Sequence, residues 1–152
     1  MANVQALTVT VEGNPFLDAT IDTAKIILDW SSAAAGTVSL DICSTFATAQ
    51  AVYSGGRVAP KKMKGYLRSI ETAPGLSGNL TDNLPTANYD ITLLDSYSYD
   101  VAGGNLNDRS GTAAESVVPS SPIFIDDEIT LTIANAGDGT KGRIIMILTP
   151  QP

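Results

Sequence analysis

Single-residue alternation of apolar and polar side chains is the feature that most restricts the folds open to this chain. Ile129, Leu131 and Ile133 alternate with Thr130 and Thr132 between Glu128 and Ala134. The same period runs through Leu7, Val9 and Val11 between Gln5 and Glu12, and through Tyr89, Ile91 and Leu93. A period of two places successive side chains on opposite faces of an extended strand, with one face buried. Lys, Glu and Leu are too sparse for a helical bundle, whereas Thr, Ser, Gly, Val and Ile are plentiful, which suits strands and turns.

Taken in order, the chain reads as short strands separated by turn signals. After the first strand, stopped by Gly13-Asn14-Pro15, Ala24 to Trp30 forms a second and Thr37 to Cys43 a third, paired with the second as a hairpin. Ser44 to Tyr53 is open to a short helix but reads rather as strand or irregular chain. Gly65 to Thr72 is a strand, and Ala73 to Thr86, with its Pro, Gly and Asn residues, an exposed loop. Pro85 to Gly104 is a central hairpin: a strand through Leu94, a polar turn from Asp95 to Asp100 carrying Tyr97 and Tyr99, and a short return from Val101. Asn105 to Pro122 is a wandering connection with one helical turn, and Ile123 to Ile125 a short edge segment. Asn135 to Thr140 is a hairpin turn between the Glu128–Ala134 strand and a last one from Gly142 to Thr149. The unbroken apolar run Ile144 to Leu148 makes that last strand central or covered on both faces. About eight strands at this spacing predict one all-β domain over residues 1–152, an antiparallel, jelly-roll-like β-sandwich with a short N-terminal arm at 1–6.

Charge divides the chain unevenly. It carries nine basic and sixteen acidic residues, net −7. Between Asp41 and Glu71 no acidic residue occurs, yet Arg57, Lys61, Lys62, Lys64 and Arg68 all fall there, leaving four basic residues against sixteen acidic ones elsewhere. This basic segment is either a solvated lysine loop or a docking surface for an acidic partner. Tyr97 and Tyr99, at the tip of the central hairpin, are further candidate contact residues. Nucleic acid is not the expected partner, because the rest of the molecule repels phosphate and aromatic neighbours are few.

Chemistry-bearing patterns are sparse. The absence of histidine removes Ser-His-Asp and Cys-His arrangements and most zinc and iron sites. Cys43 is alone, so it forms no intrachain disulfide, and its apolar neighbours make it a core residue. Gly137 to Gly142 matches the spacing of a dinucleotide-binding loop, but a strand follows where a helix N-terminus is required. Asp126-Asp127-Glu128 and Asp90, Asp95 and Asp100 lack calcium-loop spacing and read as turn residues before calcium ligands or a catalytic pair. No cofactor is expected. No basic, apolar leader opens the chain and no apolar run is long enough to span a bilayer, so cytoplasmic synthesis without a membrane partner is the expectation.

Several segments together resemble a known family. They are Lys25-Ile26-Ile27-Leu28-Asp29-Trp30, Gly65 to Gly75, Pro85-Thr86-Ala87-Asn88-Tyr89-Asp90-Ile91-Thr92-Leu93-Leu94-Asp95 with Asp100, Val101 and Gly103, Asn105 and Arg109, Leu131 to Gly137, and Gly142 to Ile145. They resemble small virion structural proteins of tailed bacteriophages. The resemblance implies a β-sandwich that serves as a head decoration or cement protein: enzymatically silent, often trimeric, and seated on the major capsid protein at the virion surface. Under it, the basic segment becomes a contact with acidic capsid surface. A head-fibre or tail-attached module is the near rival. A carbohydrate-binding sandwich using Trp30, Tyr97 and Tyr99 as a stacking platform is the rival from another class.

Overall fold

A computed structural model describes residues 4–12, 23–49, 62–75 and 83–150. Nine strands and one helix follow one another: β1 (Ala6–Glu12), β2 (Ala24–Ser31), β3 (Val38–Asp41), α1 (Ile42–Ala49), β4 (Met63–Pro74), β5 (Asp90–Leu94), β6 (Glu115–Val117), β7 (Ile123–Asp127), β8 (Thr130–Ala134) and β9 (Lys141–Thr149). The larger sheet runs β1-β2-β9-β4, and β6 and β7 pair end to end with the far edge of β4. The smaller sheet is β3-β8-β5. Every pairing is antiparallel. The expected all-β, antiparallel architecture is therefore what the chain adopts.

Alternation assigns each strand a face, and the two sheets share one core. Ile26, Leu28 and Trp30 from β2, Ile144, Met146 and Leu148 from β9, and Leu67 and Ile70 from β4 meet Val38, Leu131, Ile133, Ile91 and Leu93 of the smaller sheet, all buried. Full burial of one such aliphatic side chain contributes about 1.5–3 kcal/mol before chain entropy is subtracted. Trp30 fills the core beside Tyr89, ring centroids 5.7 Å apart and tilted by 51°. Its register partner across β9 is Gly142, and the indole lies where a side chain there would project.

Pairing departs from the expected hairpins. β3 pairs with β8 and not with β2, which is bound on both sides by β1 and β9. Residues 135–140 are likewise no hairpin turn, because β8 and β9 lie in different sheets. They are an inter-sheet crossover, as are residues 32–37, and a buried polar clamp ties the two together. Ser32 Oγ donates to Gly137 O at 2.6 Å and accepts from Thr140 N at 2.9 Å, while Thr140 Oγ1 donates to Ala136 O at 3.0 Å. Ser32 N donates to Thr140 O and Ala136 N to Gly36 O.

Two further expectations change and a third, the central place of the last strand, holds. Strand β3 stops at Asp41 instead of continuing to Cys43, because Asp41 caps α1: its Oδ1 accepts from Ser44 N at 2.6 Å. Helix therefore replaces the strand or irregular chain expected after Ser44. Residues 105–122 contain the short strand β6, with no helical turn described. Strand β9 is central, but only one face is buried: Gly142, Ile144, Met146 and Leu148 point inward, while Ile145 and Ile147 are half-exposed. Its apolar run comes from an outer face that carries isoleucines, not from burial on both sides.

The free edge of β5 is covered by the segment that follows it. Val101 N donates to Leu93 O, Ile91 N to Leu106 O and Arg109 N to Tyr89 O, and Val101, Ala102 and Leu106 are buried against the core. The central hairpin is thus real but narrow, its return reduced to the Leu94–Asp100 bridge.

The Trp30–Gly142 contact yields a test. A Cβ at residue 142 would sit 2.5 Å from Trp30 Cζ2 and 2.6 Å from Cε2, so Gly142→Ala must displace a fully buried indole. Such overpacking costs about 1–3 kcal/mol. Denaturant unfolding is expected to show that loss, with a red-shifted tryptophan emission in the folded variant. Unchanged stability would mean that the ring has room to move.

Candidate docking surface

The hairpin tip from Asp95 to Tyr99 presents its two tyrosines to solvent, Tyr97 88% and Tyr99 64% exposed. Its backbone is held on all sides. Asp95 Oδ1 accepts from both Tyr97 N and Tyr99 N at 2.9 Å. Asp95 N donates to Tyr99 O and Ser98 N to Asp95 O. Ser96 reaches to the other sheet: its Oγ donates to Asp127 Oδ2 at 2.6 Å and its N to the same oxygen at 3.3 Å. A loop whose amides at 96, 97, 98 and 99 are all engaged loses little backbone freedom when its side chains are covered.

The lysines arrive at the same end through β4. Met63 stands opposite Asp127 and Lys64 opposite Asp126 in the β4–β7 register, so Lys62, exposed just before β4, adjoins the carboxylate that holds the tip. The Ser96 hydroxyl, above all, keeps the Asp127 carboxyl below the ordinary carboxylate value. The Glu128 and Ser96 amides and Lys62 act in the same direction, against partial desolvation. Stability from this latch is present above the ordinary carboxylate value and is lost as pH falls through the depressed one.

The structure brings Lys62, Lys64, Tyr97 and Tyr99 to one end. It separates Arg68, which lies four residues farther along β4, about 13 Å at strand rise. Arg57 and Lys61 lie outside the described residues, as do residues 1–3 of the expected arm. A segment free of acids in sequence is not free of them in space, because β7 lays Asp126 and Asp127 alongside its lysines. This end is a mixed-charge surface around an aromatic tip, not a basic patch.

The other candidate groups have structural partners. Asp90 accepts from Asp108 N at 3.0 Å and Asn135 Nδ2 at 3.1 Å. Asp100 accepts from the amides of Leu93, Ala102 and Gly104. Glu115 accepts from Ser110 N at 2.6 Å and lies 3.7 Å from Arg109. Arg143 grips Asp29 in a two-point pair at 2.7 and 2.9 Å on the outer face of the larger sheet. Among the described residues no three metal-ligating side chains gather. Burial, with Asp41 adding, pushes the Cys43 thiol up to about 12, so it is protonated at neutral pH and unreactive. Trp30, 1% exposed, is unavailable to a stacking platform with Tyr97 and Tyr99, which corrects that part of the carbohydrate reading.

An open recess of about 530 Å³ lies between β1, β3 and α1, lined by Gln5, Leu7, Leu40, Asp41, Ser44 and Thr45; its one carboxylate is the helix cap. No helix among the described residues is long and apolar enough to cross a membrane. Searches of protein-family models, of curated proteins and of solved structures each return no match.

Removing the latch donor tests the tip's rigidity. Ser96→Ala is expected to raise the Asp127 pKa toward the ordinary carboxylate value and to speed amide exchange at Tyr97 and Tyr99, both read by NMR. Unaltered exchange would show that Asp95 alone holds the loop.

Proposed function

We propose that this chain is a non-enzymatic virion module: a decoration or cement protein that seats on the outer surface of the major capsid shell of a tailed bacteriophage as a homotrimer. The observation that carries the reading is the pair of exposed tyrosines on an immobilised tip. Two large aromatic side chains held out to solvent on an ordered loop form a preorganised contact, and tyrosine is among the residues that dominate interface energies. The all-β architecture supports the same reading. Its pairings are nested, β2 with β9, β3 with β8 and β4 with β7, the order a rolled jelly-roll hairpin produces. Asp90, Asp95, Asp100 and Asp127, nominated as chemical groups, accept from backbone amides, which suits a module whose work is contact. A cement protein adds buried area across junctions between shell subunits and so resists outward pressure on the shell.

The test is reconstitution on heads of the encoding phage stripped of this protein. Tyr97→Ala with Tyr99→Ala is expected to weaken occupancy by tenfold or more, in keeping with the roughly 2 kcal/mol of an aromatic anchor. Charge reversal at Lys61, Lys62 and Lys64 is expected to weaken it only a few-fold, more at low salt than at high, because rim charges act mainly on the rate of association. Full occupancy by the double tyrosine variant would remove the docking assignment, and finding the protein on tails instead of heads would favour the tail-module reading.

A further inference from the structure

Arg68 lies in a different kind of place from the lysines. Strand β4 carries a bulge there: Leu67 pairs with Leu148 and Ser69 with Ile147 on adjacent positions of β9, so Arg68 is the extra residue with no partner in β9. On the opposite edge β7 pairs only through Leu67 and β6 begins only at Ile70, so neither strand pairs with Arg68. The sheet edge is open at this point, and residues 118–122 bow around the opening. Arg68, Val118, Pro119, Ser120 and Pro122 line a recess there of about 270 Å³. Arg68 is exposed and has no ion-pair partner among the described residues. That contrasts with Arg143 on Asp29 and Arg109 beside Glu115. Bulges re-aim side chains and are frequent next to functional sites.

Val118 in its lining is 73% exposed. Phe124, two residues past the lining Pro122, is 52% exposed and packs on Tyr66 with ring centroids 5.1 Å apart. We infer that the Arg68 recess is a binding site for an acidic side chain carried, beside an apolar one, on an extended segment of a partner protein. Charge complementarity selects the acid, since a guanidinium with no counter-ion among the described residues offers its planar fork to a carboxylate. The uncovered Val118 and Phe124 select a polypeptide over a small carboxylate, because only a longer ligand covers both the charge and these side chains. Pro119 and Pro122 remove backbone donors on this side, so side chains and not an added strand make the contact. The site is separate from the tyrosine tip and does not depend on the capsid reading.

Two blocked tripeptides titrated into the full chain test it by NMR: acetyl-Val-Glu-Phe-amide and its glutamine counterpart. The glutamate peptide is expected to shift the amides of residues 68–70 and 118–122, and the glutamine peptide to bind about tenfold more weakly, the scale of a lost charge-assisted hydrogen bond. Arg68→Gln, an exposed change that should leave the melting temperature unaltered, is expected to abolish the preference for glutamate, while Lys62→Gln is expected to keep it. Equal binding of the two peptides, or shifts centred on Lys62 and Lys64 that survive Arg68→Gln, would overturn the assignment. So would a concentration-dependent self-association that Arg68→Gln removes, because the recess would then be filled by a second copy of this chain.

Discussion

Strand β9 holds the larger sheet together by lying between β2 and β4. The β1–β2 pair joins β4, β6 and β7 only through it, and it arrives from the far end of the chain: Asp29 and Arg143, which face each other in its register, are 114 residues apart. The loop-closure cost of such a pairing grows only slowly with separation, about 0.6 kcal/mol per doubling, so the arrangement is stable once made. The β1–β2, β4–β6 and β4–β7 ladders do not involve β9, but the two halves of the sheet they build are joined only by this non-local pairing. The Ser32–Thr140 clamp stands where the chain leaves β2 and where it enters β9. Its hydrogen bonds, buried away from water, fix both crossovers at once.

What was legible in the sequence was which way side chains face. β1, β5 and β8 stand close to where alternation places them, since a buried face imposes a period of two whatever its neighbours are, and β2 and β9 stand close to where their apolar runs place them. Partnership was not legible. A strand carries no mark of the strand it will join, so β3 was matched with its predecessor when it pairs with β8. The signal for helix α1 is Asp41, an N-cap residue three before Ser44, and the alternation of Val38, Leu40 and Ile42 masks it. The three residues of β6 fall below any periodicity that could be read.

The candidate site divides in the same way. The tyrosines at the hairpin tip were readable, because a polar turn between two apolar runs lies at the surface. Their rigidity was not, since it comes from Asp127, 31 residues away on the other sheet. The basic stretch misled for a related reason: counting charges along the chain assumes that neighbours in sequence are neighbours in space, and β7 breaks that assumption by setting two aspartates against it. Trp30 shows the converse. Its apolar neighbours signalled a core strand, yet a ring of that size invites a surface role until Gly142 is seen to make room for it.

Among the described residues, the sheet edges are short or have other segments of the chain against them. β6 and β7 divide the far edge of β4 with two prolines between them, and residues 100–109 overlie β5. On the remaining side α1 packs along β1, and Gln5 Oε1 accepts from Ser39 N of β3 at 2.7 Å. Copies of this molecule set shoulder to shoulder at high local density would thus meet few unpaired ladders along which to merge their sheets into a fibre. Crowding would bring them into contact only through side chains, in associations that come apart without any copy unfolding.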